Sequence, residues 1–512
     1  MIETQNPDAP PNGPDWRPTP PRVVIVGGGL AGLAAASALV RCGLNLTLLE
    51  SRPRLGGRAS SFVDPTTTEQ VDNCQHVSMA CCTNLADFCK RVGTADLFRR
   101  VPEVVFLDEQ GRTSPLRAGL LPAPLHLTES FLRARYLTFS EKLRVGLGMA
   151  CLRLSQRDRP GESFDAWLRR HGQTDRTIER FWGTVLVSAL NERLDQMDVG
   201  HARKVFLDGF LRNRTGFQME IPTVPLGELY GLRLQQWLDA EGVSIRLKTG
   251  VRSLTFDDDG AASGVLLRSG EHLPADFVVL AVPYDRVNAL VPEGASATIP
   301  GLDAVSRMES SPITGVHFWF DRPVCPPELE HVVTVGRLIQ WVFNHSAIQG
   351  REPEGGGQYL QLVISAAYDL LPLDKNAIRD AVLADLASIW PDAREATLTR
   401  WWVVTEHGAT FSVRPGIEAL RPPQRTTVDG LFLAGDWTDT GWPATMEGAV
   451  RSGYRAAEGI LADLGRPKRL VRPELPMAPL ARLLLGSAPT LTRPSPPPPT
   501  MTTTAPARSP MR

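Results

Sequence analysis

Between residues 22 and 49 the spacing of apolar positions changes twice. Residues 22–26, RVVIV, are a short β-branched run that stops at glycine. Residues 30–42 are rich in Ala and Leu, with Gly43 placed to end a helix, and residues 44–49 return to strand-like alternation. Strand, helix and strand within about thirty residues is the size of a parallel pair joined by a crossover helix. Further pieces of the same kind lie far downstream. Strands are predicted over 243–247 and 277–282, with a helix over 229–241 before them, and a short strand over 431–434 precedes a loop and a helix over 444–464. No internal repeat is visible.

The pattern predicts an α/β fold in which a discontinuous Rossmann-like domain, residues 22–100, 220–295 and 425–465, is interleaved with an α+β substrate domain of residues 101–219 and 296–424. Two domains also suit a chain of 512 residues, which exceeds one core of ordinary size. Pro-rich residues 1–21 are expected to be a disordered arm, and residues 466–512, basic and Pro/Thr-rich, a disordered tail.

Composition narrows the partners. A formal charge of −1 gives no overall field for nucleic acid. Seven cysteines, four of them between Cys74 and Cys89 without a C-x-x-C pair, do not form a secreted disulfide framework, and no metal site is expected. With neither a signal-like start nor an apolar run of about 18 residues, the cytoplasmic side is the expected compartment.

The chemistry enters at Gly27, Gly29 and Gly32, a G-x-G-x-x-G spacing between a strand and a helix, with Glu50 ending the next strand. Gly27 permits the tight turn, Gly29 lets the main chain of Leu30 and Ala31 approach a pyrophosphate, and Gly32 lets helix and strand pack closely. Glu50 can accept both ribose hydroxyls and would repel a 2′-phosphate, so FAD or NAD is favoured over NADP. Ser51 and the turn Gly56-Gly57-Arg58 then offer bare backbone and a guanidinium to a diphosphate or flavin edge, which NAD does not need. About four hundred residues on, a strand ends in Gly435-Asp436, where the acid can hold a ribityl hydroxyl. Ala444, Thr445 and Met446 open a helix whose N–H groups can face a flavin pyrimidine. Two distant segments converging on one cofactor specify FAD.

The runs VVIVGGGLAGLAAASAL, LLESRPRLGGRASSF and LFLAGDWTDTGWPATMEGAVRSG resemble the FAD-binding framework shared by amine oxidases, protoporphyrinogen oxidase and phytoene desaturases. VDNCQHV at 71–77, PAPLHL at 122–127 and SALNERLD at 188–195 are similar to the squalene-associated branch, the hydroxysqualene dehydroxylases of hopanoid biosynthesis. The likeness spans residues 22–464, with Cys74 where that branch often has glycine. It implies that Val251 meets the adenine through its main chain, and that the reaction is reductive removal of an allylic hydroxyl to give squalene, water and oxidised FAD. The nearest alternative is a desaturase working in the oxidative direction. An amine oxidase and a non-catalytic isoprenoid carrier of the same fold are further alternatives.

A departing hydroxyl needs a proton, and the candidate donors are Asp72, His76, Glu406, His407 and Glu447, with His76 placed best by its motif. Phe181, Trp182, Leu186, Phe206, Phe210, Trp319, Phe320, Trp341 and Phe343 are candidates for an apolar tunnel. Residues 122–153 mix apolar residues at helical spacing with Arg and Lys, which suits either a core face or a helix lying on a membrane. The resemblance favours the second, placing the protein peripherally on the inner face of the membrane, beside other enzymes of squalene synthesis.

Overall fold

The computed structural model describes residues 19–154, 159–292, 299–353 and 355–486. At its centre five short strands form an all-parallel sheet in the spatial order Ser244–Arg246, Asn45–Leu49, Arg22–Val26, Phe277–Leu280 and Leu431–Leu433. The strands Arg22–Val26, Phe277–Leu280 and Leu431–Leu433 read as continuous apolar runs because both faces are covered. On one face the helices Leu30–Leu39 and Met446–Asp463 pack together, every residue of the first being buried. The helix expected over 30–42 stops at Leu39, because Arg41 and Gly43 take positive φ and turn the chain. An antiparallel meander, Val251–Phe256, Ala262–Leu267 and His272–Pro274, is inserted before the fourth strand of the chain's parallel set.

The second layer is a seven-stranded sheet whose order is Leu398–Phe411, Ser310–Phe320, Gln358–Ser365, Trp341–Asn344, His331–Thr334, Glu103–Leu107 and Thr113–Arg117. All its pairings are antiparallel except that of 103–107 with 331–334. Its far face carries Phe318, Phe320, Leu360 and Leu362 into a core closed by the helix Lys375–Ile389. Its near face looks towards the parallel sheet, and helices between residues 125 and 211 close the side of the space so formed.

The expected tail needs correction. Residues 466–486 are folded onto the body: Leu470 is buried, and the helix Pro479–Leu485 buries Ala481 and Leu485 against Ala123 and Leu207. The apolar residues within that basic stretch have a surface to cover, which composition alone did not reveal. The rest of the tail and residues 1–18 lie outside the described residues. Among the described residues no helix is long and apolar enough to cross a membrane.

Candidate active site

Where the first strand enters the first helix, Gly27 has φ +113° and a Cβ on Gly32 would stand 2.0 Å from the Gly27 carbonyl oxygen. No side chain caps the helix start at Gly29. The turn is held open from the next strand, since Gly28 N–H donates to Glu50 Oε2 at 2.8 Å while Glu50 Oε1 accepts from Arg52 N–H at 2.7 Å. Glu50 N–H in turn donates to Arg246 O, and Thr249 N–H to Glu50 O, which brings the start of the meander at Val251 to the same end of the sheet. Gly56 N–H donates to Gly28 O at 2.9 Å and so lays the second glycine turn along the first.

The distant segment arrives through an ion pair. Arg58 Nη2 meets Asp436 Oδ1 at 2.6 Å, and Arg58 Nη1 donates to Ala409 O at 2.8 Å. Burial opposes the charge of Arg58, but Asp436 and Glu406 outweigh it and hold the guanidinium above its ordinary value. Residues 436–442 are fixed by the buried Arg421, which donates to the carbonyls of Asp436, Thr438 and Trp442 at 2.7–2.9 Å and to Thr440 Oγ1. Thr445 then caps the long helix by accepting from Gly448 N–H at 3.1 Å.

These pieces surround one cavity of about 830 Å³. Gly27, Gly29, Leu30, Ala31, Glu50 and Ser51 line it from the first motif, and Gly56, Gly57 and Arg58 from the second. Val251, Gly435, Asp436, Ala444, Thr445 and Met446 close the same end. Gly32 stands behind the wall, in the packing of helix on strand. Bare main chain beside an uncapped helix start, with a carboxylate at one edge and a guanidinium at the other, fits a dinucleotide carrying a flavin.

The cavity continues without a break to the seven-stranded sheet, where Val104, Phe106, Val333, Trp341, Phe343 and Val363 form an apolar floor. Trp341 and Phe343 are stacked, 5.4 Å apart, and Phe210 and Phe217 add to the side wall. Of the aromatic residues expected to line a tunnel, Phe210, Trp341 and Phe343 do so. Trp182, Leu186 and Phe206 are buried behind the wall with Phe181 packed against them, Trp319 stacks on Tyr359 beyond it, and Phe320 faces the far core.

The candidate proton donors separate by position. Asp72 does not reach the cavity: its carboxylate accepts from Ser61 Oγ at 2.5 Å and Leu226 N–H at 2.9 Å, and burial pushes it up to about 6. Glu447 lines the cavity, but its carboxylate accepts from the N–H groups of Asn84 and Leu85 and from the Asn84 amide, anchoring the start of helix Thr83–Arg91. His76 lines the cavity with Nδ1 2.9 Å from Cys74 O. A carbonyl can only accept, so Nδ1 carries the hydrogen and Nε2 is the acceptor. Burial, aided by Arg58, lowers the His76 pKa and keeps the ring neutral. Glu406 lines the cavity near Arg58, whereas His407 is exposed outside it.

On the substrate side of the cavity, two charged residues were not anticipated. Lys204 ends the helix Val199–Lys204, and Asp208 lies in the π-helical turn Val205–Leu211 that follows. Their four-residue spacing reads in the sequence as an ordinary surface ion pair. Only the surrounding fold reveals the enclosure. All seven cysteines are free, and the described residues hold no cluster of three or more His, Cys, Asp or Glu placed to bind a metal.

Residues 30–461 match the model of the flavin containing amine oxidoreductases. The chain belongs to that family. It is an FAD-dependent oxidoreductase, with the framework of two glycine turns and the 435–447 segment described above. It is 30% identical to the hydroxysqualene dehydroxylase of Rhodopseudomonas palustris over 86% of this chain and 98% of that one. It is 27% identical to the chloroplastic and chromoplastic 15-cis-phytoene desaturase of Solanum lycopersicum over 87% of this chain and 79% of that one. An oxidoreductase from Methanosarcina mazei has the same fold, with a TM-score of 0.65 at 17% identity over 86% of this chain and all of that one.

Proposed function

We propose that this flavoprotein acts on a long isoprenoid, removing the allylic hydroxyl of hydroxysqualene to give squalene in the route to hopanoids. The observation that carries this reading is the continuity of the cavity from the cofactor glycines to the apolar floor of Phe106, Trp341 and Phe343. A hydrocarbon placed there loses water-exposed surface at no polar cost, at about 25 cal/mol per Å². The near-complete coverage of a hydroxysqualene dehydroxylase supports the dehydroxylation. The cofactor residues proposed above would hold FAD, which when reduced supplies a hydride.

Oxidative desaturation is the second reading, favoured by the likeness to phytoene desaturases. Anaerobic mixing of the photoreduced holoenzyme with hydroxysqualene tests both. Squalene and reoxidised flavin are the expected products. Persistence of hydroxysqualene, together with new double bonds in squalene added to the oxidised enzyme, would establish the second reading instead.

Such a substrate resides in lipid, and the surface offers a place to meet it. Leu120, Leu121, Phe139 and Leu147 are exposed, as are Leu483 and Leu484 on the helix that packs beside Ala123 and Leu207. Leu207 lies in the same turn as the cavity residues Val205, Asp208 and Phe210. The reading therefore includes peripheral contact with the inner face of the membrane, near the enzymes that make hydroxysqualene. Vesicles containing anionic lipid should carry the wild type upward on flotation and leave the Leu483→Glu/Leu484→Glu variant behind. Equal flotation would remove this face from the proposal.

A further inference from the structure

We infer that Lys204, steered by Asp208, recognises the hydroxyl of the isoprenoid and protonates it as it leaves; the inference deepens the dehydroxylase reading and rests on it. Among the described residues that segments 101–219 and 296–424 contribute to the cavity, Lys204 is the one cation, set in a wall that is otherwise mainly apolar. It stands at the cofactor end of that wall, with Nζ 4.5 Å from the centroid of Trp442, three residues before the helix cap Thr445.

An ammonium has three N–H groups. One goes to Asp208 Oδ2 at 2.7 Å, and the ring of Trp442 faces the charge. Glu474 lies at 4.0 Å, beyond hydrogen-bond reach, so a donor remains for a ligand. Asp208 is itself fixed by Arg212, which prevents it from swinging with the lysine. The Lys204 and Asp208 side chains are only 12% and 14% exposed, so a hydroxyl that enters finds a desolvated donor and little competing water.

Glu474, 40% exposed, accepts from Trp442 Nε1 at 2.9 Å and Arg451 Nη1 at 3.1 Å and adds a second negative charge 4.0 Å from the amine. Reduced FAD, held by the glycine turns and Asp436, would supply the hydride that forms the new C–H bond at the allylic carbon. The C–O bond breaks with its electron pair on oxygen, the oxygen takes a proton from Lys204 Nζ and leaves as water, and the amine recovers a proton from water at its exposed edge. His76, held neutral by burial, presents Nε2 as an acceptor, and Glu447 is committed to the helix start at Asn84.

The test compares holoenzyme with Lys204→Met and Lys204→Arg, using hydroxysqualene and squalene as ligands of the oxidised protein, read by perturbation of the flavin spectrum. The wild type should prefer hydroxysqualene about tenfold, as one charge-assisted hydrogen bond allows. Lys204→Met should lose that preference without a change for squalene, and Lys204→Arg should keep most of it. Reoxidation of the reduced enzyme by hydroxysqualene should slow about a hundredfold in Lys204→Met, with FAD content and flavin potential unchanged. Retained preference in Lys204→Met, a shifted potential with preference intact, or no preference in the wild type would each overturn the inference. If Lys204 governs the preference yet the wild type only desaturates squalene, the dehydroxylase reading fails and the protonation with it, while hydroxyl recognition stands.

Discussion

At the cofactor end of the cavity the wall is largely main chain, whereas at the substrate end it is side chain. At Gly27 and Gly56 there is no room for more than hydrogen, and the contacts that set the shape are between backbones, such as Gly56 N–H to Gly28 O. Around Phe210, Trp341 and Phe343 the backbone is regular sheet or helix, and volume and polarity come from what projects from it. The first kind of wall tolerates almost no substitution; the second can be retuned one side chain at a time. That contrast explains how one framework can serve different oxidoreductases, since the cofactor seat is fixed while the floor is free to vary.

The sharpest way to break the comparison is Gly32→Ala. Its methyl would stand 2.0 Å from the Gly27 carbonyl, so the purified protein should lose nearly all bound flavin, read from its visible absorbance. Full occupancy would mean that the glycine turn does not shape the seat. Arg421→Met removes the donor to three carbonyls of residues 436–442 and leaves Glu418 and His201 without their balance. A loss of about 3–5 kcal/mol in unfolding free energy is expected, with weaker FAD retention.

Asp72→Asn probes the buried polar link beneath the wall. Burial raises the folded-state carboxyl to about 6, above its unfolded value, so its favourable contribution is present at low pH and lost as pH rises through 6. An amide has no such loss, and its oxygen can accept the same two hydrogen bonds. The variant should gain roughly 1.5 kcal/mol on wild type between pH 5 and pH 8. A difference in melting temperature that stays constant across that range would contradict the assignment. Phe210→Leu, at the side-chain end, should change KM for the isoprenoid a few-fold and leave flavin content untouched. Loss of flavin there would show that the two ends are not separable.

The cofactor half was legible because its requirements are local and written in residue type: glycine where Cβ has no space, an acid at a strand end, small residues at a helix start. Asp72, His76 and Glu447 show the limit of the same reasoning. All three are acids or bases in suggestive motifs, but one ends a strand and is committed to Ser61 and Leu226, one presents its acceptor nitrogen and one anchors a neighbouring helix. Partners of that kind come from residues up to 363 positions away, so no local pattern announces them. Trp182 and Phe343 show it for the apolar set. Both are large, aromatic and buried, and only the packing decides that one supports the wall while the other forms it.

The sequence by itself determined a strand-turn-helix-strand unit with the glycine spacing that suits a dinucleotide, and with Gly57-Arg58 and the distant Gly435-Asp436 it pointed to FAD. Tertiary structure decided that residues 466–486 fold back on the body, and that Lys204 and Asp208 face an enclosed apolar cavity beside Trp442 and not solvent. The physical reason is the same in both cases. A turn's demand for glycine is met within a few residues, whereas burial and the freedom of a charge depend on every segment that packs around it.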